Sequence, residues 1–273
     1  MRLLECSRRA GVLLVLGIAA CHRQPAVTPA TPPATPAPRP VPAMTTGESI
    51  IRAMHDRYAG KWYRTISFTQ KTTVRLASGN ELVQTWYEAG LLPGRLRIDT
   101  DLKSRSGTLF ARDSVYSFAN GRLASADTGL NELLVLGFDV YTQPANRTIS
   151  QLLRRGFDLD EVHESMWQGK PVYVVGAVRG DTTSKQFWVD RDRLLFLRLI
   201  MRTRQGRSDF RFNQYVETGG GWVAVEVSQI IGGRRVLLEE YSDVRTNVPL
   251  SESLFDAKEW TTAPHWSRTT PQH

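Results

Sequence analysis

Between Thr46 and Gly60 the apolar residues Ile50, Ile51, Met54 and Tyr58 recur at spacings of three and four, behind Thr46 or Gly47 as a cap and Glu48 in the first turn. That period predicts one amphipathic helix. The period then drops to two: Ile66, Phe68, Gln70, Thr72, Val74 and Leu76 alternate with Thr65, Ser67, Thr69, Lys71 and Thr73, which predicts a long strand with a partly polar face. Strands follow at Glu81 to Ala89, Gly94 to Thr100, Thr108 to Arg112 and Ser114 to Phe118, the last running into Asn120-Gly121, a hairpin signal. From Asn131 to Leu159 the rhythm breaks. Leu133, Leu134, Leu136 and Phe138, then Ile149, Leu152, Leu153 and Phe157, fit helical turns and predict one or two short helices. The second half returns to strands at 161–167, 172–179, 186–190, 194–203, 208–217, 222–231 and 235–244, joined by tight turns such as Gln205-Gly206 and Gly232-Gly233. Successive strands with such turns predict an antiparallel meander.

Ten or so strands in one domain do not stay a flat sheet, because strand twist makes a large sheet curl or split. The expected fold is mainly β (α+β): a strongly curved antiparallel sheet forming an incomplete β-barrel, with a lid of short helices over an apolar cavity. Adjacent strand aromatics such as Trp86-Tyr87 and Phe187-Trp188 must face opposite sides. One member of each pair suits the core, and the other lines a cavity or a partner-binding face.

The first residues change the picture of where this domain works. A basic stretch ending at Arg8-Arg9 precedes the apolar run from Ala10 to Ala20, too short for a comfortable membrane span and typical of an export signal. Ile18-Ala19-Ala20-Cys21 resembles the lipobox of bacterial lipoprotein signals, so residues 1–20 are expected to be a cleaved signal peptide and Cys21 the lipidated first residue of the mature chain. A second acylation, which the resemblance implies, matters because one acyl chain binds membranes only marginally. Residues 21–43 are a Pro/Ala/Thr-rich tether that favours extended polyproline II. The domain is expected over 44–260, and the polar residues 261–273 are expected to form a disordered tail. With Cys6 in the leader, the mature chain has no internal disulfide and must rely on its own core.

The formal charge of +8 first suggests a nucleic-acid partner, but the leader and tether hold five arginines against one glutamate. After Ala43 there remain 30 basic and 26 acidic residues, scattered without a block of like charge, which argues against nucleic acid. Catalytic patterns are likewise missing. His55, His163, His265 and His273 share no metal-ligand spacing, and there is no serine elbow, phosphate loop or His-Glu metal helix. Of the paired acids, Asp158 with Asp160 and Asp190 with Asp192 suit turns, while Glu239 and Glu240 must point to opposite faces of a strand. A non-enzymatic protein with no metal and no cofactor beyond the lipid on Cys21 is the expectation.

Several segments together resemble the outer-membrane lipoprotein-sorting family, the LolA/LolB-like proteins, over roughly residues 48 to 260. They are Ile66-Ser67-Phe68-Thr69-Gln70, Leu92-Pro93-Gly94-Arg95-Leu96-Arg97-Ile98-Asp99, Phe187-Trp188-Val189-Asp190, the start at Gly221-Trp222, and Glu240-Tyr241-Ser242-Asp243-Val244 with Asn247 and Phe255. The resemblance implies an incomplete barrel that binds acyl chains without chemical turnover. It also implies an arginine on the early sheet that holds the lid, for which Arg97 is the nearest match. The ligand-cavity candidates are Phe68, Trp86, Leu96, Arg97, Ile98, Phe110, Tyr116, Phe187, Leu197 and Trp222. Expected partners are membrane lipid through the anchor and lipid or lipoprotein acyl chains, with another envelope protein as the alternative, on a monomeric chain facing the periplasm. His22 after Cys21, where the enterobacterial inner-membrane retention signal has Asp, favours the outer membrane.

Overall fold

The computed structural model describes residues 44–268; Cys21, the leader and the tether lie outside them. Helix α1 spans Gly47–Tyr58, where the periodicity placed it. Thr46 closes a capping box, its Oγ1 accepting from the Ser49 amide at 3.2 Å while its own amide donates to Ser49 Oγ. The apolar stripe Ile50, Ile51, Met54 and Tyr58 is buried. Gly47 is required by close approach: a Cβ there would lie 2.6 Å from Val175 Cγ1 and 3.1 Å from Leu159 Cα.

The strands are β1 (Thr65–Arg75), β2 (Glu81–Leu91), β3 (Arg95–Asp101), β4 (Ser106–Ala111), β5 (Ser114–Ala119) and β6 (Arg122–Thr128), then β7 (Val162–Trp167), β8 (Lys170–Val175), β9 (Gln186–Asp190), β10 (Phe196–Thr203), β11 (Gly206–Thr218), β12 (Gly221–Ile231) and β13 (Arg234–Thr246). All thirteen belong to one sheet, with spatial order β6-β5-β4-β3-β2-β1-β13-β12-β11-β10-β9-β8-β7. Two antiparallel meanders, β1 to β6 and β7 to β13, are therefore stitched together by a single long-range pairing, β1 with β13. The sheet curves but does not close, as expected of an incomplete barrel. Its two edges, β6 and β7, are consecutive in the chain, so the 129–161 connection has to travel from one edge to the other. It does so as α2 (Glu132–Gly137), a 3₁₀ turn (Asp139–Tyr141) and α3 (Ala145–Arg154).

These helices and α1 fill the concave face. Leu134, Val135, Leu136, Ile149 and Leu152 join the α1 stripe against Ile66, Phe68, Leu96, Phe187, Phe196, Phe212 and Val227 of the sheet. Trp62 stacks on Tyr141 at 3.9 Å between centroids, and the Tyr141 hydroxyl accepts the Phe196 amide at 2.9 Å, tying the connection to the start of β10. The convex face carries two smaller apolar clusters. In one, Leu254, Phe255 and Trp260 cover Ala89, Leu109, Ala111 and Phe118; in the other, Val172, Val174 and Leu197 lie beneath Trp167 and Trp188.

Two expectations change. Strand β6 carries no apolar alternation because all seven of its residues are exposed, as an edge strand without a covering layer permits. Residues 261–268, expected in a disordered tail, pack on the convex face: the Trp266 ring stacks on His265 at 5.5 Å and meets Tyr87 edge-on at 6.4 Å. Residues 269–273 lie outside the described residues.

Because α1 is held almost wholly by its buried stripe, Ile51→Ala, at a fully buried site, is expected to lower the unfolding free energy by about 2–5 kcal/mol in urea titrations.

Candidate functional site

Alternation along paired strands assigns each candidate to a face. Phe68 on β1 is opposite Glu88, which is opposite Ile98, and Leu96 is opposite Phe110. Phe68, Leu96 and Phe187 lie in the concave core, with Ile98, Phe110 and Trp222 packed against it. Trp86, across from Gln70, shares the concave side with Glu88 two residues on. Three candidates do not join them. Arg97 faces the convex side because it alternates with Leu96 and Ile98; Tyr116 packs there with Leu109 and Trp260; and Leu197 is turned outward by a bulge between Phe196 and Arg198.

Arg97 consequently cannot hold the lid. Its guanidinium makes a bidentate pair with Asp99 at 2.8 and 2.9 Å, donates to the Trp260 carbonyl and lies 3.9 Å from the Trp260 ring. Arg97 pins the C-terminal segment to the convex face. The charges that hold the helical connection come from the connection itself. On one side the Asp139 carboxylate accepts the Gly94 amide at 2.8 Å. On the other, Glu132 accepts from Arg155 at 2.8 Å and from Lys185, in the loop before β9, at 2.9 Å.

These two anchors differ electrostatically. Burial would raise the Glu132 carboxyl, but Lys185 and Arg155 outweigh it and hold its pKa below the usual value. Asp139 is 2% exposed and has one backbone donor, so burial dominates and pushes it up to about 7. The signal for Asp139 was present, a lone acid after the apolar run Leu133 to Phe138, but an acid beside a helix end reads more simply as a cap.

Among the described residues the lid packs closely on the sheet beneath it. The interior expected to be an apolar cavity is filled by the helices' own side chains, and the space between lid and sheet bordered by Gly94, Phe110, Leu134, Val135, Asp139 and Gln151 amounts to only about 20 Å³. Beyond the lid, towards the β1–β2 and β12–β13 hairpins, the concave face continues. Val74 is opposite Leu237, Leu237 opposite Gln229, Gln229 opposite Phe210, and Phe210 opposite Leu199, so these share one face. Val74, Trp86, Phe210 and Leu237 are half-buried, and they line an apolar trough. At its inner end the residues turn polar: Gln70 and Thr72 are fully buried and Glu88 is 6% exposed, with Glu239 and Tyr241 across the β1–β13 seam.

With this geometry established, solved structures of other proteins supply a frame. A DUF1329 family protein from Desulfovibrio piger aligns with a TM-score of 0.51 at 16% identity, covering 78% of this chain and 96% of that one. A putative outer membrane lipoprotein-sorting protein domain from Vibrio parahaemolyticus aligns with a TM-score of 0.51 at 13% identity, covering 78% and 97%. A LolA superfamily protein from Nitrosomonas europaea gives 0.48 at 14% identity, covering 78% and 98%. No protein-family model matches the sequence, and no curated protein matches it. The likeness is one of fold: the described chain has the curved-sheet, helix-lidded architecture of the lipoprotein-sorting domains.

The Asp139 anchor makes stability depend on pH. A carboxyl raised in the folded state stabilises fully below its unfolded pKa, near 4, and loses that contribution as pH rises through about 7. Asp139→Asn keeps an acceptor for the Gly94 amide and removes the charge. Between pH 5.5 and 8, wild type is expected to lose roughly 2 kcal/mol more than the variant in unfolding titrations, given about 1.4 kcal/mol per pKa unit over the roughly 1.5 units up to about 7.

Proposed function

We propose that this chain is a membrane-anchored envelope lipoprotein that binds a hydrophobic ligand, a lipid or the acyl chains of a lipoprotein, on the concave face of its half-barrel. The observation that carries the reading is the apolar trough lined by Val74, Trp86, Phe210 and Leu237, which continues the core past the end of the lid. A half-exposed apolar row on the inside of a curved sheet costs free energy in water, and an alkyl chain laid along it recovers that cost at about 25 cal/mol per Å². The fold shared with the lipoprotein-sorting domain supports the same reading.

Anchoring through Cys21 belongs to this proposal. The lipid there and the extended tether would hold the trough within reach of a bilayer surface, facing the periplasm, with the outer membrane favoured by His22. Binding needs no chemical step. A second reading, an interaction module for another envelope protein, is favoured by the filled interior: with helices packed against Phe187, Phe196 and Phe212, a partner would meet the outer rim and not the core.

The two readings separate on purified chain from His22 onward, made without lipid. Mass spectrometry of its organic extract and displacement of a fluorescent fatty acid are expected to reveal bound or exchangeable lipid. Leu237→Glu, at a half-buried trough position, is expected to weaken fatty-acid binding about tenfold or more with the fold intact, since burying a leucine contributes roughly 1.5–3 kcal/mol. Absence of any bound lipid, with one protein recovered by crosslinking in cells, would sink the first reading in favour of the second.

A further inference from the structure

At the inner end of the trough, Gln70 sits at the centre of a small polar cluster. Trp86 of β2 and Tyr241 of β13 are directly across from it on either side. Glu88 and Glu239 occupy the diagonal positions on the same two strands, near enough for their side chains to approach Gln70. Phe68 stacks on Tyr241 at 4.2 Å and forms the wall towards the lid.

The hydrogen bonds of this cluster do not balance. The Gln70 amide nitrogen donates to Thr72 Oγ1 at 2.7 Å, and the Tyr241 hydroxyl donates to Glu239 Oε2 at 3.0 Å. Gln70 Oε1 is buried on a fully buried residue and has no partner, and neither does the buried indole nitrogen of Trp86. Glu88 has neither a hydrogen bond nor an ion pair among the described residues, and its only resolved charge neighbour is Glu239, of the same sign. Arg235, further along β13, is opposite Ile230 beyond a bulge that turns it to the convex side; it is exposed and pairs with neither acid. Burial raises both carboxyls, Glu239 to about 7.

Two acids and an amide oxygen buried together without a cation are costly unless something completes them. We propose that Glu88, Glu239 and Gln70 Oε1 form a headgroup site for the primary ammonium of an amphiphile whose alkyl chain lies in the trough. The chemistry fits in kind. An alkylammonium presents three N–H donors and a positive charge; Gln70 Oε1 and Glu88 lack donors of their own, and Glu239, which accepts only from neutral groups, lacks a cation. Trp86 and Tyr241 add aromatic faces suited to a cation, and the apolar row starts directly beside them. The inference rests on the hydrophobic-ligand reading and specifies its ligand.

The test uses the non-lipidated chain from His22 onward and three probes that share a twelve-carbon chain: dodecylammonium, dodecyltrimethylammonium and dodecanol, titrated calorimetrically below their micelle concentrations at pH 7. Dodecylammonium is expected to bind about tenfold or more tightly than either other probe, because only it supplies charged N–H donors. In Glu88→Gln/Glu239→Gln that preference is expected to vanish while dodecanol binding persists. The same double variant is expected to melt higher than wild type at pH 8, a gain that a damaged fold would not give. Preference in vesicles for ethanolamine over choline phospholipid would place the ammonium on a lipid; tight binding of an acylated, lysine-bearing peptide without that preference would place it on a protein. If all three probes bind equally, or the double variant keeps the preference, the headgroup site is refuted and the trough reading stands. If none binds, both fall together.

Discussion

The pairing of β1 with β13 is the constraint on which the rest of this structure depends. Without it the chain is two meanders, each too flat to bury both of its faces. With it, thirteen strands become one sheet whose curvature creates an inside and an outside. Because the seam joins the first strand to the last, the free edges are β6 and β7, which are neighbours in sequence. The segment between them has no route except across the mouth of the curve. The lid is therefore a topological consequence of the seam, and its amphipathic helices are what a connection must become in order to lie on an apolar concave surface.

The same seam distributes the chemistry. It brings β2 and β13 to either side of β1, so that residues about 150 positions apart, Glu88 and Glu239, come to share one polar cluster. The convex side is treated differently. There acids and bases are matched: Arg97 with Asp99, and Arg198 with Asp209 at 2.7 Å on both nitrogens while its guanidinium lies 4.4 Å from the rings of Trp167 and Trp188. Matched charges fasten surface to surface. The unmatched acids on the concave side stand out against that background.

The fold was largely legible in the sequence because its elements are amphipathic with clear periods. The α1 stripe, the seven strands after Leu159 and the helical break near Asn131 are visible as changes from a period of 3.6 to one of 2. Strand β6 was invisible for the converse reason: a strand exposed on both faces has no alternation to display. Faces were harder to assign than elements. Arg97 was placed inside by the resemblance, which implies an early-sheet arginine that holds the lid, yet its strand neighbours Leu96 and Ile98, on the concave side, put it outside. The bulge that turns Leu197 outward leaves no mark in composition, since Phe196, Leu197 and Leu199 are all apolar. The tail was misjudged because its prolines and polar residues outnumber its one tryptophan, Trp266, although Trp266 together with Trp260 just before it suffices to pin a short segment to a sheet.

The polar cluster was the least legible feature, since Glu88 and Glu239 acquire meaning only once strands far apart in the chain are known to flank Gln70. That distance also governs how the fold comes into being. Lys71 and Glu240, which meet across the seam at 2.9 Å, are 169 residues apart, and no local contact substitutes for them. Pairings of such separation make folding slow, and this one cannot form until the end of the chain has been synthesised. The emerging polypeptide therefore stays without its closing strand through most of its synthesis, with β1 an open edge that waits for β13.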